Sequence, residues 1–164
     1  MKPMYASLLS GYPPHGTVPP AALFAEIGWQ APAARTPDTD ADADADTCAV
    51  RVSLALVRAG ARIPGRVNVS SGRFKGQRIE AAQTRLSLLL THASLLGRPE
   101  VYHDGEQAQE RIGQRRGIVS YWCRDPAQGQ RGHIDIVGPD AAERLGCGAP
   151  CYRNAAEVWF WPLK

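Results

Sequence analysis

The stretch "DTCAVRVSLALVRAG", residues 46–60, carries the strongest fold signal in the chain. Apolar residues recur at helical spacing from Val50 to Val57, and a glycine follows, so the stretch predicts a helix packed on a core. Asp46 or the threonine after it can cap the first turn. We therefore expect Cys48 at the helix N-terminus, where unpaired backbone N–H groups and the helix dipole favour a thiolate.

The elements around this helix predict an α+β fold. Helical signals come first along the chain and strand signals later, which favours helices packed on a small antiparallel sheet. The sequence predicts helices at residues 19–29, 46–60, 78–97 and 104–117, and strands at residues 117–123, 132–137 and 157–163. Residues 31–46, rich in Ala, Pro and Asp, cannot bury apolar surface and predict a flexible loop.

Composition narrows the class of protein. The 164 residues predict a single domain, residues 1–164, with its own core. The net charge is +3, and no Lys/Arg cluster has the density of a nucleic-acid interface, so we expect no nucleic-acid partner. No apolar run is long enough to cross a bilayer, and the first residues lack a signal-peptide pattern.

A histidine in a predicted strand offers a partner for the cysteine. In "RGHIDIV", residues 131–137, His133 and Asp135 share one face because strand side chains alternate. A cysteine that opens a helix and a histidine on a later strand are typical of papain-like hydrolases. Asp135 can fix the imidazole tautomer. The alternative is a structural strand histidine, with Cys48 packed in the core.

The remaining cysteines allow a staple or a metal site. Cys147 and Cys151 stand in "CGAPC", a spacing that closes a small ring, so we predict a disulfide between them. Such a bond would indicate an oxidising compartment. A zinc site would combine this pair with His133 and either Cys123 or Cys48. Its spacing is looser than in structural zinc sites, and we therefore expect no metal and no cofactor.

Taken together, the chain resembles the fourth family of type VI secretion amidase effectors, which are peptidoglycan amidases. Five ordered pieces resemble the family: "GYPP…LFAEIG" (11–28), "DTCAVRVSLALVRAGARIP" (46–64), "RRGIVSYW" (115–122), "GHIDIV" (132–137) and "CYRNAAEVWFWPL" (151–163). The resemblance implies an NlpC/P60-like, papain-related fold. It also implies a cysteine peptidase that cuts the γ-D-glutamyl–meso-diaminopimelate bond of cell-wall stem peptides.

The same resemblance implies partners and site residues. The partners are the peptidoglycan stem peptide, a cognate immunity protein and the type VI apparatus. The apparatus delivers the protein, without a signal peptide, from the producing cytoplasm into the periplasm of a target cell. Cys48 matches the nucleophile and His133 the base, and the "CGAPC" cysteines resemble a disulfide pair of the family. The third role is open between Asp135 and Asp140, the nearest downstream carboxylate; strand geometry favours Asp135.

The expected mechanism leaves several points open. Backbone N–H groups at the start of the Cys48 helix are expected to stabilise the oxyanion, and Arg51 or Arg131 to hold the carboxylates of the substrate. One alternative is another papain-like cysteine amidase or acyltransferase that acts on protein amides. The other is a non-catalytic binding module stapled by zinc or a disulfide. Activity on peptidoglycan, or its absence, separates these alternatives.

Overall fold

Helices and an antiparallel sheet form the part of the chain that the computed structural model describes, residues 2–29, 40–123, 132–140 and 154–164, with backbone alone for residues 40–46 and 123. The helices are α1 (Tyr5–Gly11), α2 (Pro20–Ile27), α3 (Asp40–Arg58), α4 (Gln83–Leu90) and α5 (Gly105–Ile112). The strands are β1 (Val67–Asn68), β2 (Arg78–Ile79), β3 (Glu100–Tyr102), β4 (Gly117–Cys123), β5 (His133–Val137) and β6 (Ala155–Pro162).

The larger sheet confirms the predicted α+β class. Its four strands run in the order β3-β6-β4-β5, and every neighbouring pair is antiparallel. The three predicted strands became β4, β5 and β6, whereas α1 and β3 were not predicted. Strand β5 lies at the end of this order, and its first residue, His133, is opposite Tyr121 of β4.

Helix α3 forms the centre of the core. Residues 47–57 are all buried, so the helix has no solvent-facing side over three turns. A helix that is covered all round packs between other elements, and α3 contacts α1, α4 and β5. This packing brings the helix with the candidate nucleophile against the strand with the candidate base. Among the described helices, none combines the length and the apolar character that a bilayer crossing needs.

Two predictions about the start of α3 are wrong. The helix begins at Asp40, so residues 40–46 of the predicted loop are helical, while residues 30–39 lie outside the described part. Alternate alanines in this segment have the highest helix propensity, which outweighs the low hydrophobicity of the stretch. Cys48 therefore lies roughly two turns inside the helix rather than in its first turn. Its backbone N–H is not one of the unpaired donors of a helix end.

The predicted helix 78–97 is also wrong at both ends, since its first residues form β2 and α4 spans only Gln83–Leu90. The cause is Glu80, whose carboxylate accepts the backbone N–H groups of Ala81 and Ala82, both at 3.1 Å. Ser53 of α3 binds the Glu80 backbone through its hydroxyl, with distances of 2.9 and 3.2 Å. These bonds hold the chain extended until α4 begins.

Candidate active site

Cys48 and His133 meet where α3 packs on β5. Cys48 is 2% exposed, and the His133 side chain is 20% exposed, so the pair lies just beneath the surface. Burial acts to lower the pKa of His133, but hydrogen bonds to Asp135 and Cys48, together with their negative charges, outweigh it and raise that pKa to about 10. The imidazole is therefore protonated at neutral pH and interacts directly with the Cys48 sulfur.

Asp135 holds the far side of the imidazole. Its Oδ2 lies 3.2 Å from His133 Nε2, and its Oδ1 accepts the backbone N–H of Ile136 at 2.8 Å. The residue is 4% exposed, so the carboxylate is screened little by solvent. Because Nε2 donates to the carboxylate, Nδ1 is the nitrogen left to interact with Cys48.

Asp140, the alternative third residue, lies in a different environment. Its carboxylate accepts from the Arg116 guanidinium at 2.9 Å, and its side chain is 50% exposed. The structure thus brings Asp135, and not Asp140, to the His133 ring. This contact is local in sequence, because both residues of the pair stand on β5 two positions apart.

The structure tests the predicted substrate contact of Arg51, but not that of Arg131 or the predicted disulfide. Arg51 is fully buried and donates to the Pro13 carbonyl at 2.8 Å, which does not fit the predicted contact with a substrate carboxylate. Arg131, Cys147 and Cys151 lie outside the described residues. Within the described part, no three His, Cys, Asp or Glu side chains are grouped to hold a metal ion.

Sequence reasoning missed Tyr12 and His15, which lie between α1 and α2 and reach the same site. His15 Nε2 lies 3.9 Å from Cys48 Sγ and 3.2 Å from the Tyr12 hydroxyl. Burial raises the pKa of Tyr12 well above its ordinary value, and the negative charges of Asp135 and Cys48 and a hydrogen bond to Asp135 add to this effect. A histidine directly after "YPP" was the only available signal, and it has no helical or strand periodicity.

Helix α3 also fixes the segment that carries these two residues. Arg51 binds the carbonyl of Pro13, and Arg58 binds the carbonyl of Gly11 at 2.8 Å. The two arginines are seven positions apart and so share one face of the helix. One helix therefore positions both the thiol and the backbone around Tyr12 and His15.

Comparison with known proteins identifies a family. A sequence model of the family described as "Type VI secretion system (T6SS), amidase effector protein 4" matches residues 45–161, which is more than half of the chain. No curated protein matches the chain. Among solved structures, the chain is similar to one described as the effector–immunity system Tae4/Tai4 from Salmonella typhimurium, a selenomethionine variant. The TM-score is 0.61, the identity 16%, and the match covers 99% of each chain. At this identity, the likeness establishes the shared fold.

Proposed function

We propose that this chain, which belongs to the family of type VI secretion system amidase effector protein 4, hydrolyses the γ-D-glutamyl–meso-diaminopimelate bond of peptidoglycan with Cys48 as its nucleophile. The observation that carries the proposal is the hydrogen-bonded series of Cys48, His133 and Asp135. Nucleophile, base and orienting carboxylate are the three roles that covalent acyl transfer requires.

In the first half of the reaction, the Cys48 sulfur attacks the γ-carbonyl carbon of D-glutamate. A carbon–sulfur bond forms and the carbonyl oxygen takes up the negative charge. His133, protonated at neutral pH, then gives its proton to the diaminopimelate nitrogen as the carbon–nitrogen bond breaks. The products are a free amine and a thioester on Cys48.

In the second half, a water molecule replaces the amine. His133, now neutral, accepts one proton of the water while the water oxygen attacks the thioester carbon. The carbon–sulfur bond breaks and the sulfur leaves as an anion beside protonated His133. The new γ-carboxylic acid of D-glutamate releases its remaining proton to solvent. Asp135 keeps the same ring orientation through both halves, because its own position is fixed by the Ile136 N–H.

The family membership also supports a proposal about delivery and partners. Because the family consists of amidase effectors of the type VI secretion system, we place this chain in the periplasm of the target cell, where its proposed substrate lies. The similar Salmonella structure pairs an effector with an immunity protein. A cognate immunity protein for this chain would protect the producing strain from its own effector.

The test is digestion of purified, diaminopimelate-containing peptidoglycan. The wild-type chain is expected to release fragments whose stems end at D-glutamate, with one new diaminopimelate amine for each cut. Cys48→Ser is expected to release none, while Cys123→Ser serves as a matched cysteine control that retains activity. Cleavage at another bond overturns the specificity, and equal cleavage by Cys48→Ser overturns the nucleophile. A wild-type chain that leaves peptidoglycan intact but cleaves protein amides would support the alternative amidase.

A further inference from the structure

We propose that His15 is a second catalytic histidine, which donates a hydrogen bond from Nε2 to the oxyanion of the tetrahedral intermediate. The proposal rests on the function proposed above and adds a group that this mechanism lacks. A developing oxyanion needs a donor that is already in place. The helix start predicted to supply it is at Asp40, roughly two turns from Cys48.

The hydrogen bonds around Tyr12 indicate which nitrogen of His15 carries the proton. A tyrosine hydroxyl has one proton, and an ionised carboxylate only accepts. Because the Tyr12 hydroxyl bonds Asp135, its proton points to that carboxylate. His15 Nε2 lies 3.2 Å from the Tyr12 oxygen, and we assign the hydrogen between these two atoms to Nε2. His15 is therefore a donor at the site, whereas His133 is the residue paired with a carboxylate.

The position of this N–H fits the oxyanion better than the sulfur. His15 Nε2 is 3.9 Å from Cys48 Sγ, which is long for a hydrogen bond and makes only a weak interaction with the resting sulfur. In the intermediate, the oxyanion is bonded to the carbon that the sulfur has attacked, so it forms beside Sγ. In the resting site this N–H faces the Tyr12 oxygen at 3.2 Å, and in the intermediate it shifts from that oxygen to the oxyanion.

The segment that carries His15 is held firmly, while the His15 ring itself is accessible to substrate. Tyr12 and Pro13 are buried, and Arg51 fixes the Pro13 carbonyl to α3 at 2.8 Å. His15 itself is partly exposed, so substrate can approach the ring. A donor held on a braced segment needs little reorganisation when the charge develops, and such preorganisation is the main source of oxyanion stabilisation.

The test compares His15→Phe, which removes the donor, with His15→Gln, whose amide can place an N–H near the Nε2 position. On a soluble stem-peptide fragment, His15→Phe is expected to lower kcat by about 10²–10³-fold with little change in KM. His15→Gln is expected to recover most of that loss. His103→Phe is the matched ring substitution at a side chain that is 82% exposed, and is expected to keep wild-type rates.

Two further measurements separate this role from a structural one. Alkylation of Cys48 by iodoacetamide is expected to proceed at close to the wild-type rate in both His15 variants, since no oxyanion forms in that reaction. Tyr12→Phe is expected to lower kcat, and to add little to His15→Phe in the double variant, because the two residues act as one unit. Thermal unfolding of each variant shows whether it is folded.

Several results would overturn the role. They are an unchanged kcat in His15→Phe, equal losses in the Phe and Gln variants, or alkylation that falls in step with kcat. The proposed function survives all three of these, provided that cleavage still depends on Cys48. Absence of Cys48-dependent cleavage in the wild-type chain would overturn the proposed function and this role together.

Discussion

At the scale of single residues, Asp135 is the point where three hydrogen bonds meet. It accepts from His133 Nε2 at 3.2 Å, from the Ile136 backbone N–H at 2.8 Å, and from the Tyr12 hydroxyl. Together these bonds fix the direction of the carboxylate. A buried charge held in this way can orient an imidazole and balance the imidazolium that catalysis requires.

Replacing the Asp135 carboxylate should therefore lower kcat far more than replacing Asp140. We expect Asp135→Asn to lower kcat by about 10²–10⁴-fold, because the imidazole loses its charged partner and its fixed tautomer. Asp140→Asn is the matched control, since that residue pairs with Arg116 at the surface. Steady-state kinetics on a soluble stem-peptide fragment measures both. A large loss in Asp140→Asn with none in Asp135→Asn would reverse the assignment.

The protonation of His133 gives a second prediction at this scale. Its pKa is raised from 6.5 to about 10, so the ring should lose its proton only in strongly alkaline solution. Asp135→Asn removes a hydrogen bond and a negative charge that favour the imidazolium, and the titration midpoint should move down toward 6.5. NMR titration of the ring C–H signals, assigned with His133→Gln, measures the midpoint. A midpoint that Asp135→Asn leaves in place would show that another group holds the proton.

At the scale of elements, the junction of β2 and α4 depends on one buried carboxylate. Glu80 accepts the N–H groups of Ala81 and Ala82 and forms ion pairs with Arg66 at 2.8 Å and Arg85 at 3.2 Å. The same residue is bound through its backbone to α3. Glu80 therefore ties the small β1–β2 hairpin to the helix that carries Cys48.

We expect Glu80→Gln to lower the free energy of unfolding by about 1–2 kcal/mol, a modest value because the guanidinium ends are solvated. Burial acts to raise the pKa of Glu80, but Arg66 and backbone N–H groups outweigh it and lower that pKa below 4.5. A folded-state pKa below the unfolded value stabilises the fold above 4.5, and this contribution is lost as pH falls further. Denaturant unfolding from pH 7 to pH 3 measures both effects.

Glu110→Gln, at an exposed position of α5, is the matched control for this change. It should leave the free energy of unfolding within about 0.5 kcal/mol of the wild type, as is usual for surface substitutions. If Glu80→Gln has the same stability and the same pH dependence as this control, Glu80 does not hold the junction.

The same elements show which parts of the fold could be predicted from local sequence. Strands β4 and β5 were predictable because apolar alternation and flanking glycines are local signals. The same holds for the placement of Cys48 on a helix and of His133 and Asp135 on one strand, since the helix pattern and the His-x-Asp strand can each be recognised alone. The true start of α3 was not predictable from hydrophobicity, because alanine propensity rather than burial extends the helix.

Two features depend on contacts distant in sequence. They are the extended chain at Glu80, where a helix was predicted, and the position of His15 near Cys48. Ser53 binds the Glu80 backbone from another helix, and Arg51 brings the Pro13 carbonyl to α3. No window of local sequence contains both partners of either contact. Tertiary hydrogen bonds of this kind override local propensity, and they account for most of the sites that were missed.

At the scale of the whole molecule, α3 organises the site by packing on all its sides. It presents Cys48 to β5, and it anchors the segment of Tyr12 and His15 through Arg51. The residues of the candidate site thus come from three distant parts of the chain and meet only in the folded state. The predicted disulfide between Cys147 and Cys151 lies outside the described residues and stays a prediction.

We claim that the Cys48 sulfur becomes acylated during cleavage. Acid quenching of a single turnover, followed by mass spectrometry of proteolytic fragments, measures it directly. We predict that the peptide containing Cys48 gains the mass of the substrate fragment that ends in the γ-glutamyl group, and that Cys48→Ala neither gains this mass nor cleaves. Cleavage by Cys48→Ala at the wild-type rate, or an adduct on another residue, would contradict the claim.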